Sequence, residues 1–316
     1  MRLHDREFAM LHRVKNRLPL LQALRLDIVR DPSHEDEDNP LLPHGDIFAS
    51  APLLTHIDLG SFSDILWGFN WSSLTSIDLR WSSFSSLVVS ALRQTINLEV
   101  LVFGVEFYDD DLEDGGHIIK LPRLKYLSVV GVYLLPFLET PALDHLALSD
   151  SDEWEITTAF ILRSKCELSA FSATDFESMA LREILPYMPD IEQLHLNSIG
   201  GWAKIFEWLS GTEPRAHTTQ PREPPLRRLD ELSISFWTLE ESDLVALQNM
   251  IAHLTVGPSN LGLNTLHIES LDRHPWVRYP WAGLSTVFPA VLEKLESLCR
   301  DNGVCLHLYL PPGVCV

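Results

Sequence analysis

The chain has 316 residues, of which 46% are hydrophobic and 22% charged, so it is expected to fold and to bury a substantial core. Its formal net charge is −20, from 24 Lys and Arg against 44 Asp and Glu. This balance argues against nucleic acid and anionic lipid as partners, because both bind basic surfaces. It suits a basic protein partner, or a charge that serves only solubility.

Cysteine usage and the N-terminus indicate the compartment. No C-x-x-C pair occurs among Cys166, Cys299, Cys305 and Cys315, so neither a disulfide framework nor a zinc site is predicted. The first residues are charged and lack the apolar segment of a secretory signal. The uncharged run from Tyr126 to Leu138 is too short to span a membrane. We therefore expect a cytoplasmic or nuclear protein that does not enter a membrane.

In chain order, the most informative pattern is a repeat. The motif P-x-[LI]-x-x-[LI]-x-[LV] occurs five times, beginning at Pro19, Pro52, Pro122, Pro141 and Pro189. Copies without the proline occur at Leu74/Ile77/Leu79, Leu98/Leu101/Phe103, Leu168/Phe171, Leu229/Leu232/Ile234 and Leu263/Leu266/Ile268. The last two apolar positions of each copy share one face of a short strand, and the first fills the core from the preceding turn. The end of the chain, VCLHLYLPP, also alternates and predicts a closing strand.

Helical spacing separates several of these strands. Trp202, Ile205, Phe206 and Leu209 fall on one helical face before Gly211, and similar stripes occur at Leu181–Met188, Leu244–Leu254 and Leu292–Leu298. Alternating strands and helices are also typical of a doubly wound α/β domain. Very short strand cores, a spacing of about 20 to 26 residues and the lack of a glycine-rich phosphate motif favour a curved leucine-rich-repeat solenoid instead.

The domain organisation follows from this repeat. Residues 1–17 are expected to form an N-terminal cap or remnant, residues 18–270 the repeats, and residues 271–316 a C-terminal cap of one leucine-rich-repeat domain. Two polar, proline-containing inserts, DPSHEDEDNPLLPHG and GTEPRAHTTQPREPPLRR, are expected to be surface loops, because the strand pattern resumes after each.

The phrases LPLLQALRLDI, APLLTHIDL, LPRLKYLSV and MPDIEQLHL, together with the R-S-x-C-x-L stretch in ILRSKCELSAFSA, resemble the repeats of agaricomycete-type fungal F-box proteins. The resemblance covers roughly residues 18–270. It implies that the repeats recognise a substrate for a cullin ubiquitin ligase. In that family an F-box binds the adaptor Skp1. Only about 17 residues precede the first repeat here, so Skp1 is an expected partner only if an F-box lies upstream.

Candidate binding residues are the outward-facing residues of the strands, which stacking would align on the concave sheet. The row is Asp58, Asp78, Val102, Ser128, Ala147, Ser172, His195, Ser233 and His267. One hypothesis is that Asp58 and Asp78, with Arg80 beside them, hold a basic segment of a partner. The alternative is a solvated strand face, because isolated exposed charges contribute little binding energy.

Tryptophans are a second candidate group, because exposed tryptophan often anchors an interface. Trp71, Trp202 and Trp208 occupy repeat positions, where core filling is the expected role. Trp276, Tyr279 and Trp281 lie in a proline-broken loop, and interface and packing roles are equally open for them.

No catalytic, cofactor or metal site is predicted. The acidic runs Glu35–Asp38 and Asp109–Asp111 lack the spacing of an EF-hand, and the histidines show no zinc-binding spacing. Neither a G-x-S-x-G elbow nor a Walker loop occurs. We therefore expect a non-enzymatic module that binds an unidentified protein. The alternatives are a free-standing scaffold without a ubiquitin-ligase role and, from another class, an enzyme on an α/β fold.

Overall fold

The chain has a mixed α/β fold built on a large parallel β-sheet in the computed structural model. The structure describes residues 2–4, 13, 15, 17–29, 48–60, 68–84, 86–108, 118–150, 153–211, 226–236, 240–256, 263–270 and 288–309. The chain divides into two compact units. The first comprises Met1–Ala147 and Ala159–Cys166, and the second comprises Leu148–Thr158 and Glu167–Val316.

The first unit contains parallel strands in the order β1-β2-β3-β4-β5-β7-β9 and a separate parallel pair, β6 and β8. Their bounds are β1 Arg2–His4, β2 Ala23–Val29, β3 His56–Gly60, β4 Ser76–Phe84, β5 Val100–Tyr108, β6 Ile119–Lys120, β7 Tyr126–Val130, β8 Leu138–Glu139 and β9 His145–Ser149. The last two residues of β9 belong to the second unit. Helix α1 spans Ser86–Leu92, and 3-10 turns span Trp71–Ser73 and Leu135–Phe137.

Helix α2, Trp154–Ser164, follows β9, and its residues are divided between the units. In the second unit the strand order follows the chain order. The strands are β10 Ala170–Thr174, β11 Gln193–Asn197, β12 Glu231–Phe236, β13 Thr265–Ser270 and β14 Cys305–Tyr309. The helices are α3 Ser178–Ile184, α4 Trp202–Leu209, α5 Glu241–Val256 and α6 Phe288–Asp301, and a 3-10 turn spans Leu185–Tyr187.

The strand predictions are confirmed, because each copy of the motif lies in a strand and the copies pair in register. In the first unit the Cα partners are Leu24, Ile57, Ile77, Leu101 and Leu127. In the second unit they are Phe171, Leu194, Leu232, Leu266 and Leu306. The closing strand and the four helical stripes are also confirmed, as β14 and as α3 to α6. Helices α1 and α2, strand β1 and the β6–β8 pair were not predicted.

Burial follows the alternation of the motif. Most inward side chains of the motif are fully buried, whereas Leu24 in β2 and Leu306 in β14 are half-buried. The neighbours of the inward residues in β7, β9 and β11 are half-buried or exposed. The first leucine of the motif is buried as well, at Leu54, Leu74, Leu98, Leu124, Leu143, Leu168, Leu229 and Leu263. Trp71, Trp202 and Trp208 are buried, as expected for core filling. Strand and turn therefore contribute to one apolar layer in each unit.

A repeated backbone contact joins successive motif copies just before each strand. The carbonyl of Gln22 accepts hydrogen bonds from the N–H groups of Thr55 and His56, at 2.9 and 3.2 Å. The same double contact recurs at the carbonyls of Thr55, Thr75, Glu99 and Lys125 in the first unit, and of Ser169, Glu192 and Asp230 in the second. These contacts satisfy turn groups that the ladder itself leaves unpaired. They also fix the register of each copy against the next.

The residue after several strands adopts a left-handed conformation. Asp150, Asp175 and Ser198 follow β9, β10 and β11 with φ of 55°, 57° and 55°. Their N–H groups donate to the carbonyls of Thr174, Asn197 and Ser235, at 3.0, 2.9 and 2.8 Å. A residue in the left-handed conformation turns the chain away from the sheet, and its N–H group still forms one more hydrogen bond to the next strand. Short polar residues tolerate this conformation better than other non-glycine residues.

We predict opposite responses to valine at two serines. Ser198 has a positive φ, so Ser198→Val should unfold at a free energy about 1–2 kcal/mol lower than Ser198→Gly. At Ser235, the fifth residue of β12, valine should be the more stable replacement, because extended backbone favours β-branched side chains. Urea unfolding of the four variants measures this. The same order of valine and glycine at both sites would contradict the proposed role of the left-handed turn.

Candidate functional site

The outward residues of the predicted row lie in register within each unit. In the first unit the Cα partners are Arg25, Asp58, Asp78, Val102 and Ser128, which we call the first-unit row. In the second unit they are Ser172, His195, Ser233, His267 and His307. The placement of Asp58, Asp78, Ser128, His195, Ser233 and His267 follows the sequence prediction. Their role in binding stays a prediction.

Other predicted candidates lie partly or wholly outside the described residues. Arg80 lies in β4, but its side chain is outside them. Trp276, Tyr279 and Trp281 are outside them altogether, as are both acidic runs. Arg25 and His307 complete the rows but were missed, although both stand at the same position of the motif as the residues that were chosen.

The charge on the first-unit row is mixed. Nε of Arg25 lies 3.1 Å from Oδ2 of Asp58, and the two side chains are 79% and 37% exposed. Such exposed ion pairs contribute at most about 1 kcal/mol to stability, so the main effect of this contact is to neutralise the charge at this end of the row. Asp58 therefore pairs with Arg25, a cation that the hypothesis of an acidic binding end at Asp58 and Asp78 did not include.

The second unit offers a broader polar face. The middle row is flanked by Ala170, Gln193, Glu231, Thr265 and Cys305 on one side and by Thr174, Asn197, Ser235, Glu269 and Tyr309 on the other. We call these residues, apart from the buried Ala170, the second-unit face. It contains hydroxyls, amides, three histidines and two glutamates, and neither lysine nor arginine. The face is therefore suited to accept hydrogen bonds and positive charge.

Aromatic and titratable side chains cluster at β12, β13 and β14. Nε2 of His267 lies 3.6 Å from Oε1 of Glu231. The rings of His267 and His307 stack with centroids 4.6 Å apart and planes within 9°, and the ring of Tyr309 lies 6.4 Å from that of His267. Sγ of Cys305 lies 3.3 Å from Nε2 of His307. Adjacent strands thus bring together residues up to 78 positions apart in sequence, from Glu231 to Tyr309.

The described ranges contain neither a metal-binding cluster nor a membrane-spanning helix. No group of three or more His, Cys, Asp or Glu side chains there is placed to hold a metal ion. None of the helices in that part of the chain combines the length and apolar character needed to cross a bilayer.

The R-S-x-C-x-L segment has a structural role at the end of α2. Nε and Nη2 of Arg163 donate to the carbonyls of Leu138 and Leu135, at 2.9 and 2.6 Å. Oγ of Ser164, a buried residue, accepts from the backbone N–H of Thr140 at 3.2 Å. Burial lowers the pKa of the Arg163 guanidinium, and the nearby Glu139 carboxylate opposes this shift. The motif therefore ties α2 to the 3-10 turn and to β8 beneath it.

Two cysteines are poor nucleophiles because of burial. Burial raises the pKa of the Cys166 thiol to about 11, against a smaller opposing effect of a backbone hydrogen bond. Burial also raises the pKa of the Cys299 thiol to about 11. Both thiols therefore stay protonated at neutral pH, and the thiolate is the reactive form.

Comparison with known proteins gives no relative. No family model matches the sequence, and no curated protein is significantly similar to it.

We predict that Arg163→Ala lowers the free energy of unfolding by roughly 2 kcal/mol, because two carbonyls lose a charged donor. Lys204→Ala, at an exposed position of α4, is the control and should change stability by less than about 0.5 kcal/mol. Urea denaturation followed by circular dichroism measures both variants. Equal stabilities of the two would contradict the structural role of the motif.

Proposed function

We propose that the chain is a leucine-rich-repeat solenoid that binds another protein through the outward faces of its parallel strands. The observation that carries the proposal is the alternation within strands β11, β12 and β13: the inward side chains are fully buried, and the side chains between them are half-buried and lie in register. Side chains spaced by one strand offer a regular array, and repeat proteins use such arrays to bind extended partners.

The same alternation disfavours the rival α/β architecture. A doubly wound sheet is covered by helices on both faces, so its strands are apolar on both sides. In β11 and β12 the outward positions are instead polar and half-buried, and β12 carries Glu231, Ser233 and Ser235 there. A sheet with one apolar and one polar face supports the repeat architecture and leaves the polar face for a ligand.

The chemistry of the faces supports a polar partner that carries positive charge. The second-unit face has carboxylates at Glu231 and Glu269 and no cation apart from protonated histidine. The chain as a whole carries a formal net charge of −20. Charge complementarity of this kind accelerates association and excludes acidic competitors more than it adds affinity.

A narrower form of the proposal is substrate recognition for a cullin ubiquitin ligase. It is supported by the resemblance of the repeats, and of the segment around Arg163, to fungal F-box proteins. The alternative is a free-standing scaffold without that link. The two share the same binding face and differ in whether Skp1 joins the complex.

The general proposal is tested by blocking the second-unit face. Ser172→Arg with Ser233→Arg places two long cations in the middle row, flanking His195. Met179→Arg with Asn249→Arg adds the same charge at exposed positions of α3 and α5. Partner proteins captured by the unaltered chain should be lost by the face variant and kept by the helix variant. Quantitative mass spectrometry of affinity-purified samples measures this, and equal retention by both variants would refute the assignment of the face.

The narrower proposal is tested with the native protein purified from its source cells. Skp1 and a cullin should co-purify with it in stoichiometric amounts. The variant with Arg at positions 172 and 233 should keep both, because substrate and adaptor would occupy different surfaces. If both are absent while face-dependent partners remain, the free-standing scaffold is the correct description.

A further inference from the structure

Cys305 is the first residue of β14 and is exposed, unlike the buried Cys299. Residues two apart on a strand share a face, so the side chains of Cys305 and His307 lie together. Their Sγ and Nε2 atoms are 3.3 Å apart, within hydrogen-bonding range for sulfur. A thiol in contact with an imidazole can pass its proton to the ring, which is how many nucleophilic cysteines are activated.

The neighbouring strands hold the imidazole in place. One face of the His307 ring stacks on His267, at 4.6 Å between centroids. His267 is in turn 3.6 Å from Glu231 through its own Nε2 atom. The carboxylate therefore pairs with His267, and Nε2 of His307 is directed to the thiol. Packing that restricts a ring in this way keeps a base oriented toward its proton donor.

We propose that Cys305 and His307 form a thiol-modification site that reacts with small disulfides. The Cys305 thiol gives its proton to Nε2 of His307, and its sulfur attacks one sulfur of the disulfide. A new S–S bond forms to Cys305 as the original S–S bond breaks. The leaving sulfur departs as a thiolate with the bonding electron pair and then takes up the proton. Cys305 is oxidised to a mixed disulfide, and half of the small disulfide is reduced to a thiol.

The modified residue would stand on the second-unit face. Cys305 pairs with Thr265 across the sheet, in the same outer row as Glu231. A group attached to its sulfur would extend over this corner of the face beside His267. The reactivity of Cys305 does not depend on the protein-binding proposal, so the two can fail separately.

The site is tested with the full chain carrying Cys315→Ser, because Cys315 lies outside the described residues. The probe is 4,4′-dithiodipyridine, a small neutral disulfide whose released thione is followed by absorbance at pH 7. One fast phase is expected, and peptide mass spectrometry should map it to Cys305. Cys166 and Cys299 should react slowly, because burial raises the pKa of each thiol to about 11.

The role of the imidazole is tested by His307→Phe, which keeps a flat ring for stacking on His267 but removes the proton acceptor. The fast phase should slow roughly tenfold. His195→Phe, in the same row on β11, is the matched control and should react like the parent chain. His307→Gln is a second variant if the phenylalanine variant does not fold by circular dichroism. A fast phase that maps elsewhere, the lack of any fast phase, or equal rates in the His307 and His195 variants would overturn the proposal.

Discussion

The long series of parallel strands depends on the stacking of inward apolar side chains, mostly leucine and isoleucine, at one repeated position of the motif. Each such residue pairs by Cα with its counterpart on the next strand, as Leu194 does with Leu232 and Leu232 with Leu266. A five-residue strand alone buries too little surface to offset the entropy of ordering it. When such a strand lies between two copies of itself, the backbone groups of both its edges are hydrogen-bonded and its apolar face is buried. The double hydrogen bond to the carbonyl before each strand then prevents a slip in register, which would turn the polar side chains into the core.

The sequence predicts the sheets well because their information is local and repeated. Period-two alternation decides which side chains share a face, so Ile57 and Asp58 are assigned to opposite faces without any knowledge of their neighbours. The helices are harder to predict. Helix α1 is seven residues long and contains adjacent valines, and α2 contains Ile156, Thr157 and Thr158, all of which favour strands over helices. These helices form because the burial of their apolar side chains, such as Val88 and Phe160, outweighs their weak intrinsic preference.

The candidate site shows a different limit. The motif alone allows the first-unit row to be extended to Arg25 and the middle row of the second unit to His307, because these residues occupy the motif position of Asp58 and His267. The side-chain contacts on the face could not be predicted from the motif. No local pattern links His267 to His307 across 40 residues or sets the planes of their rings within 9° of each other. The R-S-x-C-x-L segment shows the converse. In the sequence this segment contributes only to a family resemblance, whereas in the structure Arg163 and Ser164 form hydrogen bonds with backbone groups that no local pattern indicates.

Adjacent positions of one strand therefore carry separate constraints. Replacing Leu266 opens a cavity in a packed layer, whereas replacing His267 alters only contacts on the outward face. The backbone hydrogen bonds fix the spacing between strands and the apolar layer fixes their register, so the outward face keeps both whatever side chains it carries. At β12 to β14 this arrangement places a carboxylate 3.6 Å from one imidazole and stacks that imidazole on a second, with ring centroids 4.6 Å apart. The alternation of side chains along β14 places the thiol 3.3 Å from the second imidazole. A reactive cluster can therefore arise on such a face by substitution at single positions, because the leucines behind it already hold the strands in place.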